Sequence, residues 1–215
     1  MKSPVAFGMK LGLSRKHAQL LARLDTPRKI QDYLHTVPIN HELTGETCRA
    51  VAGALHAKKI HCIEGAFIAA CALWMQGKPP LLMDMQAAGD DDHVITVFRQ
   101  GRYWGAISKS NHLCLRWRDP VYRTLRELAM SYFHEYETKG RKSLRTYSKP
   151  FDLRRRKPSE WVAAMDSCWD LAWDLDQSRH YRLVTPRQIR ILRKRDSFER
   201  SLGDFVQYPR PRAKK

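Results

Sequence analysis

The sequence predicts an α+β fold in which helices come first, a small antiparallel sheet follows and further helices close the chain. Three observations lead there. Apolar residues recur at helical spacing up to Gly77, short alternating segments occupy roughly 81–107, and helical spacing returns from about Pro120 onward. The chain has 215 residues, enough for a core without disulfide help. It divides by composition into 1–138, a core with its N-terminal helices, and 139–215, a basic helical extension packed on that core.

The first clear helix is "DTPRKIQDYLHTVP", with Thr26 as N-cap, Pro27 at the first helical position and Ile30, Tyr33 and Leu34 on one face. "TGETCRAVAGALHAKK" predicts a second, with Val51, Leu55 and Cys48 turned inward. From Cys62 to Gln76 the apolar positions are almost continuous, so this helix is expected to be buried on most sides. "LLMDMQA", "HVITVFRQ" and "RYWGAIS" read as strands, the last two joined by a hairpin at "RQGR". "DPVYRTLRELAMSYFHEYE" predicts an amphipathic helix starting near Pro120, and "PSEWVAAMDSCWDLAWDLDQ" another opened by Pro158 and Ser159. In the latter, Trp161, Met165, Cys168, Trp169 and Ala172 would face inward, opposite an acidic stripe of Asp166, Asp170 and Asp174. Three carboxylates spread over about 12 Å of helix do not converge on one ion, so the stripe is expected to pair with neighbouring arginines. "TPRQIRILRKR" and "DSFERSLGD" supply the last helical pieces.

Thirty-nine Lys and Arg against 22 Asp and Glu leave a net charge of +17. This balance favours polyanionic partners, and the densest basic runs are late: Arg154, Arg155 and Arg156, then Arg193, Lys194 and Arg195. They are the candidate nucleic-acid contacts, were the chain an inactive binding module. No apolar run reaches the roughly 18 residues of a membrane span, and the start carries no convincing secretory leader. Five cysteines, an odd number without a C-x-x-C pair, argue against a disulfide framework and point to a reducing cytoplasm. Nor is any cofactor or metal expected. A zinc site from His61, Cys62 and His93 ranks low because it lacks a close-spaced ligand pair on a turn.

Cys62 is distinguished from the other thiols by its place at a helix entrance. Unpaired N–H groups and the helix dipole there favour a thiolate. A nucleophile needs a base, and His93 opens the second strand. His61 is an alternative base, but a residue adjacent to the nucleophile is expected to point elsewhere. Cys71, Cys114 and Cys168, in apolar contexts, read as core thiols.

The run "HCIEGAFIAACALWMQGKPPLLMDM", followed by "DDDHVITVFRQGRYWGAISKS", resembles the core of the transglutaminase-like superfamily, in particular a bacterial branch of it. The resemblance spans about residues 45–135 and implies a papain-like fold with Cys62 as nucleophile, His93 as base and "GRYW" as the element preceding the third catalytic position. Where more familiar members carry aspartate, this chain has Ser108, so the third role falls to Asn111 or Ser108. Trp104 and Asp92 are the substrate-binding candidates, the latter in an acidic turn, Asp90–Asp92, that is either a solvated loop or a selector of a cationic substrate. The resemblance implies thioester chemistry on an amide or ester of a peptide or protein, by hydrolysis or acyl transfer.

Overall fold

The computed structural model describes residues 3–165 and 167–211. Five helices open the chain: α1 (Pro4–Lys10), α2 (Arg15–Arg23), α3 (Pro27–Thr36), α4 (Val51–Ala57) and α5 (Cys62–Met75). Thr26 caps α3 as expected, its hydroxyl accepting from Lys29 N–H. All of α5 except Cys62 and Trp74 is buried, in keeping with its apolar sequence. Trp74 stacks on Trp161 at 5.8 Å and meets the edge of Phe7 at 5.5 Å, so α1 and the later chain close over α5.

Beside α5 lies an antiparallel sheet built on β1 (Leu81–Ala87), β2 (His93–Gln100) and β3 (Tyr103–Ile107), the three strands expected from the alternating segments. β2 and β3 are paired from Gln100–Tyr103 to Thr96–Ile107, and β1 lies antiparallel on the other side of β2. Thr96 Oγ1 donates to Ala66 O at 2.7 Å, tying α5 to β2. Alternate side chains serve the two faces. Leu82, Val94, Phe98 and Ile107 join the helical core around α5. Met83, Met85, Ile95, Val97 and Ala106 join a second core with Leu128, Tyr132 and Phe133.

The sheet is larger than the small one expected: with β4 (Arg118–Tyr122), β7 (Leu144–Ser148), β8 (Phe151–Asp152) and β9 (His180–Arg182) it has seven strands, in the order β4-β3-β2-β1-β7-β9 with β8 also on β1. β4 (Arg118–Tyr122) falls where a helix was expected to begin at Pro120. The proline is tolerated because β4 is the edge strand, where no partner needs its missing N–H. The helix that follows, α6 (Leu125–Met130), is only six residues long and is capped by Thr124, which accepts from Glu127 N–H. The segment from 139 onward was expected as helix but begins with strands. β5 (Glu137–Thr138) and β6 (Arg141–Lys142) form a small ribbon, and β7 (Leu144–Ser148) and β8 (Phe151–Asp152) both join β1.

Helix formation beyond Pro158 is also broken. α7 (Pro158–Trp161) and α8 (Trp169–Asp176) are separate helices, and described residues between them bond to the first turn of α4 and to the chain just before it. Ala52 N–H donates to Val162 O, and Cys168 N–H to Cys48 O. As a result Trp161 and Cys168 face inward as expected, whereas Met165 and Trp169 are exposed. Asp166 of the acidic stripe lies outside the described residues. Asp174 does pair with a late arginine, Arg156. β9 (His180–Arg182) then pairs with β7, and α9 (Pro186–Ile191) and α10 (Ser197–Arg200) complete the elements. Among the described residues no helix is long and apolar enough to cross a membrane.

Candidate active site

Cys62 is the first residue of α5, as its place after His61 and before the apolar run predicts. Its N–H and that of Ile63 have no partner within the helix, as in any first turn. Glu64, at the third helical position and fully buried, reaches back to accept from His61 N–H at 3.2 Å. Its other oxygen accepts from Arg49 N–H at 3.0 Å and from the Arg49 guanidinium at 3.2 Å. The residues before α4 are thus pinned to the helix entrance instead of forming the longer helix expected from Thr44. Glu42 reinforces this course by accepting from Thr47 N–H at 2.5 Å.

This loop also reorients His61. Its Nε2–H donates to Thr47 O at 2.5 Å, with Glu42 Oε1 at 3.5 Å and Glu64 Oε2 at 3.9 Å. The opposite ring nitrogen, Nδ1, lies 3.9 Å from Cys62 Sγ. His61 therefore faces the thiol, contrary to the expectation for an adjacent residue. Burial would lower its pKa, but contact with Cys62 and the charges of Cys62, Glu64 and Glu42 outweigh burial and raise it to about 9.

His93, buried at the start of β2, bonds through Nε2 to Ser108 Oγ at 2.7 Å. Ser108 Oγ also donates to Leu115 O at 2.7 Å. A hydroxyl has a single proton, so Ser108 must accept from His93 Nε2–H, which leaves Nδ1 as the basic nitrogen. His93 is the second imidazole whose hydrogen bond and charge act on the thiol. For Cys62, burial pushes the pKa up, but the bonds and charges of His61 and His93 prevail and hold it at about 5.

Ser108 is itself fixed by α3. Its N–H donates to Gln31 Oε1 at 2.8 Å, and Gln31 Nε2 donates to its carbonyl at 2.9 Å. Asn111, the other candidate for the third position, is engaged elsewhere. Its side-chain amide donates to Tyr208 O and accepts from Tyr208 N–H, both at 2.9 Å.

Two lobes of one groove meet at Cys62, Asp91 and Asp92. The narrower, about 270 Å³, is also lined by His93, Asn111 and Tyr136. The buried Tyr136 hydroxyl has no hydrogen-bond partner among the described residues. Burial, then the charge of Cys62, raises its pKa well above the usual phenol value. The wider lobe, about 740 Å³, is acidic, with Glu42, Glu46, Asp84 and Asp176 joining Asp91 and Asp92. Asp92 also accepts from Ala87 N–H at 2.9 Å, and its pKa is raised by burial and by Asp84 and Asp176.

Among the described residues, the acidic oxygens of Asp84, Asp92 and Asp176 lie within 4.8 Å of one another. Each already has a protein partner: His180 Nε2 at 3.2 Å from Asp84, Ala87 N–H for Asp92 and Gln86 Nε2 at 2.9 Å from Asp176. The expected substrate contact Trp104 lies apart from the groove. It sits on the second face of the sheet, against that core, with the Arg99 guanidinium 5.2 Å from its ring.

The basic runs are partly consumed by ion pairs. Arg154 pairs with Asp152, Arg156 with Asp174 and Arg193 with Glu199. Arg195, with Glu135 3.8 Å away, lines the narrower lobe, while Arg155 and Lys194 are exposed.

Sequence reasoning missed Glu64, the proximity of His61, Tyr136 and Gln31. A signal existed for Glu64, since "HCIE" places an acid three residues after the cap position. None existed for Gln31 or Tyr136, whose roles depend on elements distant in sequence. Compared with family models the chain matches none, and no curated protein matches it.

Proposed function

We propose that the protein is a cysteine acyl-transfer enzyme of papain-like plan, acting in a reducing compartment on an amide or ester through a Cys62 thioester. The observation that carries this is the set of four residues around the groove junction: the helix-entrance thiol of Cys62, the imidazoles of His61 and His93 that act on it, and Ser108 fixing the tautomer of His93. Free thiols at all five cysteines are in keeping with the compartment.

The Cys62 thiolate attacks the carbonyl carbon, forming a C–S bond and placing the electron pair on oxygen. First-turn N–H groups of Cys62 and Ile63 and the unpartnered Tyr136 hydroxyl are the donors available to that oxyanion. On collapse the leaving nitrogen or oxygen takes a proton from the imidazole that holds it. Water or an amine then attacks the thioester while Nδ1 of His93 accepts its proton. His61, held protonated by its contact with the Cys62 thiolate and then by Glu64 and Glu42, keeps that thiolate charged between turnovers.

The test uses p-nitrophenyl acetate. Wild-type protein should release p-nitrophenolate and carry one acetyl group on Cys62 by mass spectrometry, and Cys62→Ala should do neither. Equal release from Cys62→Ala would overturn the assignment.

A second reading, an inactive basic module binding nucleic acid, is favoured by the charge of +17 and by the exposed Arg155, Arg187, Arg190 and Lys194. It requires binding to duplex or single-stranded nucleic acid that weakens steeply with salt. Absent or salt-insensitive binding removes it.

A further inference from the structure

The segment beyond α10 follows the groove. Leu202 and Gly203 line the narrower lobe. Val206 then bridges His112, and Gln207 N–H donates to Asn111 O at 3.1 Å. Tyr208 exchanges two hydrogen bonds with the Asn111 side chain, and its hydroxyl donates to His35 O at 3.1 Å. Arg116 holds the Gln207 side chain at 2.6 Å. Two residues further on, Arg210 lines the wider, acidic lobe. The segment therefore runs from the narrower lobe, at Leu202 and Gly203, to the wider one, where Arg210 sits between Pro209 and Pro211.

Three features bear on what this groove accepts. The wider lobe brings six carboxylates together in a chain whose net charge is +17, so its sign is opposite to that of the molecule as a whole. An arginine of the chain itself sits in its lining. Tyr136 lines the narrower lobe, and its buried hydroxyl has no hydrogen-bond partner among the described residues.

We propose that the wider lobe is a subsite for an arginine side chain of an extended basic peptide substrate, and that residues 207–211 lie across it as an internal competitor. The arginine serves as an anchor beside the reacting carbonyl and takes no part in the chemistry. The word substrate rests on the acyl-transfer reading above; the binding itself does not.

The probe is a fluorescein-labelled peptide, YPRPRAKK, followed by anisotropy at low salt. It should bind Tyr208→Ala/Arg210→Ala about tenfold more tightly than wild type, because the internal segment no longer occupies the lobe. Asp91→Asn/Asp176→Asn in that released background should weaken it by a similar factor. Asp91→Asn alone, a change at an exposed position, should give part of the loss without disturbing the Gln86–Asp176 bond.

Equal binding to wild type and the released variant would overturn the internal competitor. An equal affinity for the peptide with citrulline at both arginines, or no saturable binding to the released variant, would overturn the subsite. Rapid alkylation of Cys62 at pH 6 without peptide binding would sink the subsite while leaving the thiolate standing. Peptide binding without esterase activity would sink the acyl-transfer reading alone.

Discussion

Cys62 and Cys71 belong to the same helix, nine residues apart, and their thiols are driven in opposite directions. Cys71 is fully buried among apolar side chains, and burial pushes its pKa up to about 12. Cys62, at the helix entrance, also bears a burial penalty, yet two imidazoles overcome it and hold it at about 5. The contrast shows that burial alone decides little. What separates a packing thiol from a reactive one here is whether imidazoles meet the sulfur.

The sharpest attack on this contrast is selective alkylation of the native protein with iodoacetamide at pH 6, read residue by residue. Cys62 should label at least about a thousandfold faster than Cys71, since thiolate fraction dominates the rate even after the lower nucleophilicity of an acidic thiol is counted. Comparable rates would erase the distinction.

Next in size is His93→Gln, which should lower esterase turnover by about 100-fold or more while Cys62 stays alkylatable. Undiminished turnover would leave His61 as the working base.

His61→Gln should move the midpoint of the Cys62 alkylation profile from about 5 toward the roughly 8.5 of an ordinary thiol, slowing labelling at pH 6 about tenfold. The sign for stability follows from the two directions. Cys62, lowered in the fold, contributes stability above its ordinary value of 9.0 that is lost as pH falls through about 5. His61, raised in the fold, contributes below 6.5 and loses that contribution as pH rises through about 9. Because both shifts rest on the same thiolate–imidazolium contact, the gap in urea midpoint between wild type and His61→Gln should be widest between pH of about 5 and about 9.

The smallest effect concerns the spacing of the two thiols on α5. Gly65 lies between them, and a Cβ there would overlap Cβ of Lys109. Gly65→Ala should destabilise by about 1–3 kcal/mol, the usual cost of overpacking, measured by denaturant melting. An unchanged melt would mean that the helix and the segment after β3 can part without loss.

Much of this architecture was legible in the sequence. The continuous apolar run of α5, the alternation in β1–β3 and the Thr26–Pro27 start of α3 each carry a local cause. Pro120 misled because a proline opening a helix and a proline on an edge strand look alike without knowing which strand is outermost. The Thr124-x-x-Glu127 cap, four residues later, was the better signal. β7 and β9 were hidden because they are short and rich in arginine and tyrosine, and their partners lie far away. At the site, Cys62 and His93 could be named from their places at a helix entrance and a strand start, whereas Ser108 came only with the resemblance, and with Asn111 as its alternative. That Ser108 and not Asn111 holds the imidazole depended on Tyr208 claiming Asn111, a contact across 97 residues.

The tie between Ser108 and α3 has a consequence for dynamics. The Ser108 amide hydrogen is held by a side chain, Gln31, and the neighbouring Lys109 ammonium donates to Leu34 O and Val37 O at the end of the same helix. Peeling α3 away would break all three bonds at once and free the hydroxyl that aligns His93. In a deuterium-exchange experiment this one backbone site should become labelled only with the opening of α3, in step with the amides inside that helix. The docking of an N-terminal helix and the alignment of an imidazole more than fifty residues later would then form one cooperative unit, timed by a single slow proton.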